Sequence, residues 1–230
     1  MRILYLGKRH NMDIDSIGER HGRAYHLPWE LSRLGHDVFG LYVDYRSRDG
    51  FWLQRDDQFD ISVCSLRGGR LPRMFTYYRE LRRVIRDNRP EVVIAGSDAL
   101  NVVIGRNVAS RLRVPFVADV KDDYTAFGLT RNVPFLERAY YRALKAPDLV
   151  SCVSSNLEAK LRRGGVTDSM VLENSGPTDF APTMTQREAR QVLGLPQDRF
   201  LFGMAGALRA SRGIASVIEG ARHFLLRQEK

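Results

Sequence analysis

The chain has 230 residues, 43% hydrophobic and 27% charged, with a formal net charge of +9. This is a globular composition, sized for one large domain or one and a half ordinary ones, and it excludes a disordered or collagen-like chain. A positive balance suits nucleic acid, an anionic membrane surface or phosphorylated substrates without separating them.

The opening MRILYLG is too short for a signal-peptide core, and it reads instead as a first strand at 2–7. No segment approaches the roughly 20 apolar residues of a membrane span, so a soluble, cytoplasmic protein is expected. A helix follows in ERHGRAYHLPWELSRLG, with Leu27, Leu31 and Leu34 on one side and Gly35 as its C-cap. Pro28 sits inside it and is expected to kink or split it. Strands are predicted at 37–43 and 60–65, then a helix in LPRMFTYYRELRRVIRD with Met74, Tyr78, Leu81 and Ile85 on its apolar face.

A strand at 91–96 leads to a helix capped by Asp98 that buries Val103, Ile104, Val108 and Leu112. Strands at 115–120, 148–153 and 170–173 alternate with helices in FLERAYYRALK and SNLEAKLRRGG. Residues 174–198 read as a hinge, with a Thr185–Glu188 capping box opening a short helix. A last strand is predicted at 200–206, before a helix opened by Gly213. Several strands are continuously apolar, as in parallel sheets buried on both faces. The alternation therefore predicts a doubly wound, Rossmann-like α/β fold, whose ligands sit beyond the carboxyl ends of the strands.

Those strand ends carry the candidate sites. After the first strand, KRHNMDIDSIGERHGR offers Gly18 at a helix start, with Arg20, His21 and Arg23 adding charge. The plainer reading is a surface loop. After the fifth strand come Lys121, Asp122 and Asp123, where a cation and carboxylates together orient a sugar hydroxyl or take up a proton. A solvated loop is the alternative. The arginine-rich helix at 70–89 reads as a contact for anionic lipid, as a nucleic-acid patch, or as an ordinary solvated face. No base-reading motif accompanies it, so nucleic acid is the weakest of the three. In GALRASRG, Gly206, Arg209, Arg212 and Gly213 would suit a diphosphate at a helix start. The five histidines and two cysteines (Cys64 and Cys152) lack metal-ligand spacing, so no metal is expected and the thiols read as buried and reduced.

The ordered set LSRLGHDVFGL, RRVIRDNRPEVVIAGSDA, RVPFVADVKDD, ERAYYRALKAPDLVSCVSSNLEAKL, ENSGPTDFAP and FGMAGALRASRG resembles the retaining glycosyltransferases of the two-Rossmann-domain type, the family 4 class. Each motif is loose, but order and spacing agree along the chain. The resemblance implies an acceptor-side Rossmann-like domain at 1–182, a linker with a short helix at 183–198, and the truncated start of a nucleotide-sugar-binding domain at 199–230. It implies no cofactor or metal, with a nucleotide-diphosphate sugar as co-substrate. The acceptor would be a cell-envelope lipid or polysaccharide, and the chain would lie in the cytoplasm or at the inner face of the membrane. Lys121 matches the family's sugar-contacting histidine, and Asn174 matches its hinge asparagine. Arg212 matches the family's diphosphate-binding lysine, whereas Ala207 replaces the arginine of that motif, a contact that Arg209 would supply. The family's paired glutamates find no match, so no catalytic residue is assigned and the chain alone is expected to be inactive. The alternative is a non-catalytic acceptor- or partner-binding module that pairs with a separate donor-domain chain.

Overall fold

A computed structural model describes residues 1–11, 14–46, 51–55, 59–66, 70–126, 130, 132–133, 135–174, 183–204 and 213–228, without the side chains of 51–55, 70–73 and 226–228. The chain divides into two compact units, Met1–Ser175 and Gly176–Lys230.

The first unit is built on one eight-stranded sheet. Its strands are β1 (Arg2–Lys8), β4 (Asp37–Asp44), β5 (Phe51–Arg55), β6 (Asp60–Ser65), β7 (Val92–Gly96), β8 (Phe116–Val120), β9 (Leu149–Cys152) and β10 (Ser169–Val171). Their order across the sheet is β10-β9-β8-β7-β1-β4-β6-β5. All pairings are parallel except that of edge strand β5 with β6. A small antiparallel pair, β2 (His10–Asn11) and β3 (Ile14–Asp15), follows β1. The chain moves outward from β1 through β4 and β6, then returns to the other side of β1 as β7. The ends of β1 and β7 therefore flank the switch point, where such sheets open a crevice.

Alternation along β1 divides the core. Leu4 and Leu6 pack with α2 (Arg70–Asn88), α3 (Ala99–Leu112), α4 (Leu136–Leu144) and α5 (Ser155–Arg163) on one face. Ile3 and Tyr5 pack with α1 (Arg23–Arg33) on the other. Asp98 caps α3 by accepting from the Asn101 amide. Ile104 and Val108 are buried, while Val103 and Leu112 pack at the core's edge. Gly105 lets α3 approach the sheet, since a Cβ there would lie 2.5 Å from that of Ala95.

Two helices correct the sequence reading. In α2, Leu81 is buried and Ile85 packs against the core as read, but Tyr78 is 44% exposed and its place is taken by the buried Tyr77, with Glu80 buried next to it. In α1, Pro28 neither splits nor ends the helix, which runs through it from Arg23 to Arg33. Proline cannot donate to the carbonyl four residues back, that of Ala24. The buried Tyr42 hydroxyl donates to that carbonyl at 2.8 Å and replaces the missing bond. Tyr42→Phe should therefore cost about 1–3 kcal/mol in urea unfolding. In a Pro28→Ala background, where the helix makes its own bond, the loss should shrink to a few tenths. The helix closes as read: Gly35 has φ +85°, and the amides of Gly35 and His36 bond Ser32 and Leu31.

In the second unit, α6 (Gln186–Val192) starts with the Thr185–Glu188 capping box, both halves formed. It is followed by α7 (Ile214–Gln228). The strand expected at 200–206 does not form at 200–204, and 205–206 lie outside the described residues. A strand needs a neighbour, and among the described residues of this unit none forms a strand. Phe200, Phe202 and Phe224 instead cluster, with ring centroids 5.0–6.0 Å apart, and remain 75%, 55% and 42% exposed. Among the described residues of the chain, no helix is long and apolar enough to cross a membrane.

Candidate functional site

Three strand ends on one side of the switch point are tied together by a single side chain. Arg23, the first residue of α1, grips Asp119 of β8 through Nε at 2.9 Å and Nη2 at 2.7 Å. Its Nη2 also donates to Ser151 Oγ of β9 at 2.8 Å, and Nη1 to the Leu172 carbonyl beyond β10 at 2.6 Å. Ser151 Oγ donates in turn to Asp119 at 2.6 Å. The Arg23 and Asp119 side chains are only 7% and 1% exposed. This strut fixes the floor of the crevice.

At the switch point itself, Lys8 ends β1, Ser97 and Asp98 follow β7, and Lys121 and Asp122 follow β8. Asp98 is held by the Asn101 amide at 2.8 Å and the Tyr45 hydroxyl at 3.0 Å. Burial pushes its carboxyl above the usual range, although the Asn101 amide, Lys8, Tyr45 and Lys121 all pull it down. Burial also lowers the Lys121 ammonium, helped by the like charge of Lys8 and opposed by Asp122, Asp119 and Asp98. Both lysines are half-buried. Among the described residues, neither ammonium has a carboxylate within 4.0 Å. Lys121 is placed by its backbone, whose amide donates to the Tyr124 hydroxyl at 3.3 Å. Ser97 has a left-handed φ of +70°, and its Oγ and the Tyr5 hydroxyl are buried side by side. Among the described residues neither makes a hydrogen bond of normal geometry, and burial pushes the Tyr5 pKa up while the nearby Ser97 hydroxyl draws it down.

The other residues read from sequence have different surroundings. The Gly18 amide donates to Asp15 Oδ1 at 3.0 Å, and a Cβ there would lie 2.7 Å from Asp15 Oδ2. Arg9 joins this knot, bonding Asp15 at 2.6 Å and Asp44 at 2.9 Å. Arg20 is an exposed turn residue with φ +49°. Asp123 binds Thr125 Oγ1 at 2.7 Å and pairs with Lys160 of α5. Burial would raise its carboxyl, but Lys160 and Thr125 more than offset this and hold it below the usual range. Asn174 is exposed beyond β10. Gly213 has φ +72° ahead of α7, while Gly206, Arg209 and Arg212 lie outside the described residues.

The structure thus gathers Lys121 and Asp122 with Lys8 and Asp98. Asp98 was legible only as a helix cap. Lys8 was legible as the residue after RILYLG, at a strand's carboxyl end. The Arg23–Asp119 strut joins residues 96 positions apart and leaves no local signal.

A family model described as a glycosyl transferase 4-like domain matches residues 23–174. Among curated proteins, none is significantly similar in sequence. Among solved structures, sucrose-phosphate synthase from Thermosynechococcus elongatus superposes with TM-score 0.59 at 14% identity, over 86% of this chain and 53% of that one. UDP-GlcNAc 2-epimerase from Methanocaldococcus jannaschii superposes with TM-score 0.46 at 14% identity, over 74% of this chain and 45% of that one. The chain thus spans about half the length of these neighbours. At such identities the likeness is one of fold.

Proposed function

Because the chain belongs to the glycosyl transferase 4-like domain family, we propose that it supplies the acceptor-side half of a retaining glycosyltransferase that uses a nucleotide-diphosphate sugar. The observation that carries this reading is the switch-point crevice, where Lys8, Asp98, Lys121 and Asp122 converge beyond the carboxyl ends of β1, β7 and β8. Asp122 is exposed and offers an acceptor oxygen to a hydroxyl of the incoming substrate. Lys121 is half-buried beside it and offers a fixed cation. Together they orient one hydroxyl, which is the main task of a site that joins two substrates. Donor binding would fall to a second domain, whose start we place at 199–230, within the unit Gly176–Lys230. The partly exposed ring cluster of Phe200, Phe202 and Phe224 supports that reading, because it resembles one side of a core. The remainder could come from the same or a separate chain.

The proposed acceptor is a cell-envelope lipid or polysaccharide, reached at a membrane surface. The support is α2, where Arg79, Arg82, Arg83 and Arg86 are exposed along with Phe75 at 75%. Glu80 is buried beneath them, within 3.3 Å of both Arg79 and Arg83. Basic side chains near an anionic leaflet contribute about 1 kcal/mol each. The double change Arg82→Ala/Arg86→Ala should weaken co-sedimentation with anionic vesicles about 30-fold. Binding to neutral vesicles should not change. Equal binding to anionic vesicles before and after the change would remove membrane contact from the reading.

The enzymatic reading is tested by incubating the chain, together with the donor domain proposed here, with radiolabelled nucleotide sugars in extracts of cells lacking its gene, and following label into lipid and polysaccharide. Label that depends on the added protein supports it.

A further inference from the structure

A groove of about 440 Å³ lies between α2 and α3, within the size range of small-molecule sites. Leu81 and Ile85 of α2 and Ile104, Val108 and Leu112 of α3 give it an apolar floor. Arg82 stands on the α2 side and Arg111 on the α3 side, both exposed. Among the described residues no carboxylate lines the groove, and neither guanidinium has an ion pair. By contrast, Arg79, Arg83 and Arg86 pair with Glu80 or Asp87. An apolar slot between two unpaired cations has the chemistry of a site for an anionic amphiphile. The charge extends past the groove. By sequence, α2, α3, α4 and α5, which share one face of the sheet, carry nine more basic than acidic residues, the whole of the chain's net +9. A small soluble anion needs only the two groove arginines, whereas a basic layer of four helices suits an extended anionic surface.

We propose that the α2–α3 groove takes one hydrocarbon chain of an anionic membrane lipid, with Arg82 and Arg111 holding its headgroup. A chain leaving the bilayer loses little, because the floor is as apolar as its former neighbours, and the floor is withdrawn from water. Both arginines can lay their methylenes along the slot and keep their charge at its rim. Tyr78, 44% exposed at the groove, has the apolar ring and polar tip that suit a membrane boundary. The groove runs along the later turns of α3, whereas the crevice at the strand ends opens where that helix starts. The bound lipid anchors the domain and is not itself the acceptor. The proposal deepens the membrane contact put forward above and rests on it.

The test uses phosphatidylglycerol vesicles whose lipid carries a photoreactive diazirine in the middle of one acyl chain. The purified chain is irradiated on them, and adducts are located by peptide mass spectrometry. Adducts are expected within 78–85 and 104–112. Asn107→Trp, at an exposed position of the lining, fills the groove without changing charge. It should lower those adducts about tenfold, because the added ring occupies the slot. Co-sedimentation of this variant should stay within about threefold of wild type, because the arginines remain. Arg82→Gln/Arg111→Gln should weaken co-sedimentation about 30-fold. Thermal unfolding checks that each variant is folded. Adducts only outside both segments in a protein that sediments, or adducts there that folded Asn107→Trp retains, overturn the groove and leave the membrane contact. Equal adducts from phosphatidylcholine vesicles overturn the anionic headgroup. No sedimentation with anionic vesicles overturns the groove and the membrane contact together. The other apolar occupant is a second copy of the chain, and a dimer in sedimentation velocity that Asn107→Trp dissolves would assign the groove to it and overturn the lipid.

Discussion

An Arg23→Ala variant is expected to lose about 3–5 kcal/mol of unfolding free energy, which for a domain of this size is a large share of the total. The loss follows from what remains behind. Asp119, 1% exposed, would be left with only Ser151 Oγ as a side-chain partner, and the Leu172 carbonyl would lose its donor. Breaking one side of a buried pair is costly mainly because the other side stays buried. A paired replacement, Arg23→Met/Asp119→Leu, should therefore recover most of the loss. Urea unfolding of the three proteins measures both effects. A loss below about 1 kcal/mol in Arg23→Ala would mean that the strut behaves as an exposed ion pair.

Lys121→Ala is expected to lower sugar transfer by the chain joined with its donor domain about 100-fold, while leaving unfolding stability within about 1 kcal/mol of wild type. The lysine makes no ion pair among the described residues, and burial already works against its charge. The fold therefore loses little with it. A charge-assisted bond to substrate contributes about 1.5–3 kcal/mol, or roughly 10- to 150-fold in rate when it is lost at the transition state. Asp123→Ala should behave in the opposite way. Its carboxylate is spent on Thr125 and Lys160, so its removal should shift stability of the 121–126 turn more than transfer. Steady-state kinetics beside urea unfolding separates the two roles.

The parallel sheet was legible because its strands are buried on both faces, and runs such as ILYL, VVIA and FVADV need no partner to be recognised. The Asp98 cap and the Thr185–Glu188 box were legible because each acts over three residues. Strand β5 was not, since FWLQR is a short edge segment among charges. The continuity of α1 through Pro28 was not, because the replacing donor is Tyr42, on a strand that follows the helix. On α2, Leu81 and Ile85 were legible, whereas Tyr78 was read in place of Tyr77 because the two are chemically alike and only packing chooses between them. At the site, topology placed Lys121 and Asp122 correctly at a strand end. What it could not supply was the company they keep. Lys8 and Asp98 come from two other strand ends, and the sequence carries no mark that β1 and β7 are neighbours.

The central claim, that the crevice at the ends of β1, β7 and β8 serves sugar transfer, has one direct measurement. The chain, purified together with the donor domain proposed above, is added as wild type or Lys121→Ala, with a panel of radiolabelled nucleotide-diphosphate sugars, to extracts of cells lacking the gene. Label in the lipid and polysaccharide fractions is then counted. The expected result is incorporation that appears with wild-type protein and falls about 100-fold with the folded Lys121→Ala variant. Incorporation equal with and without the protein for every donor, or equal for the two proteins, would contradict the claim.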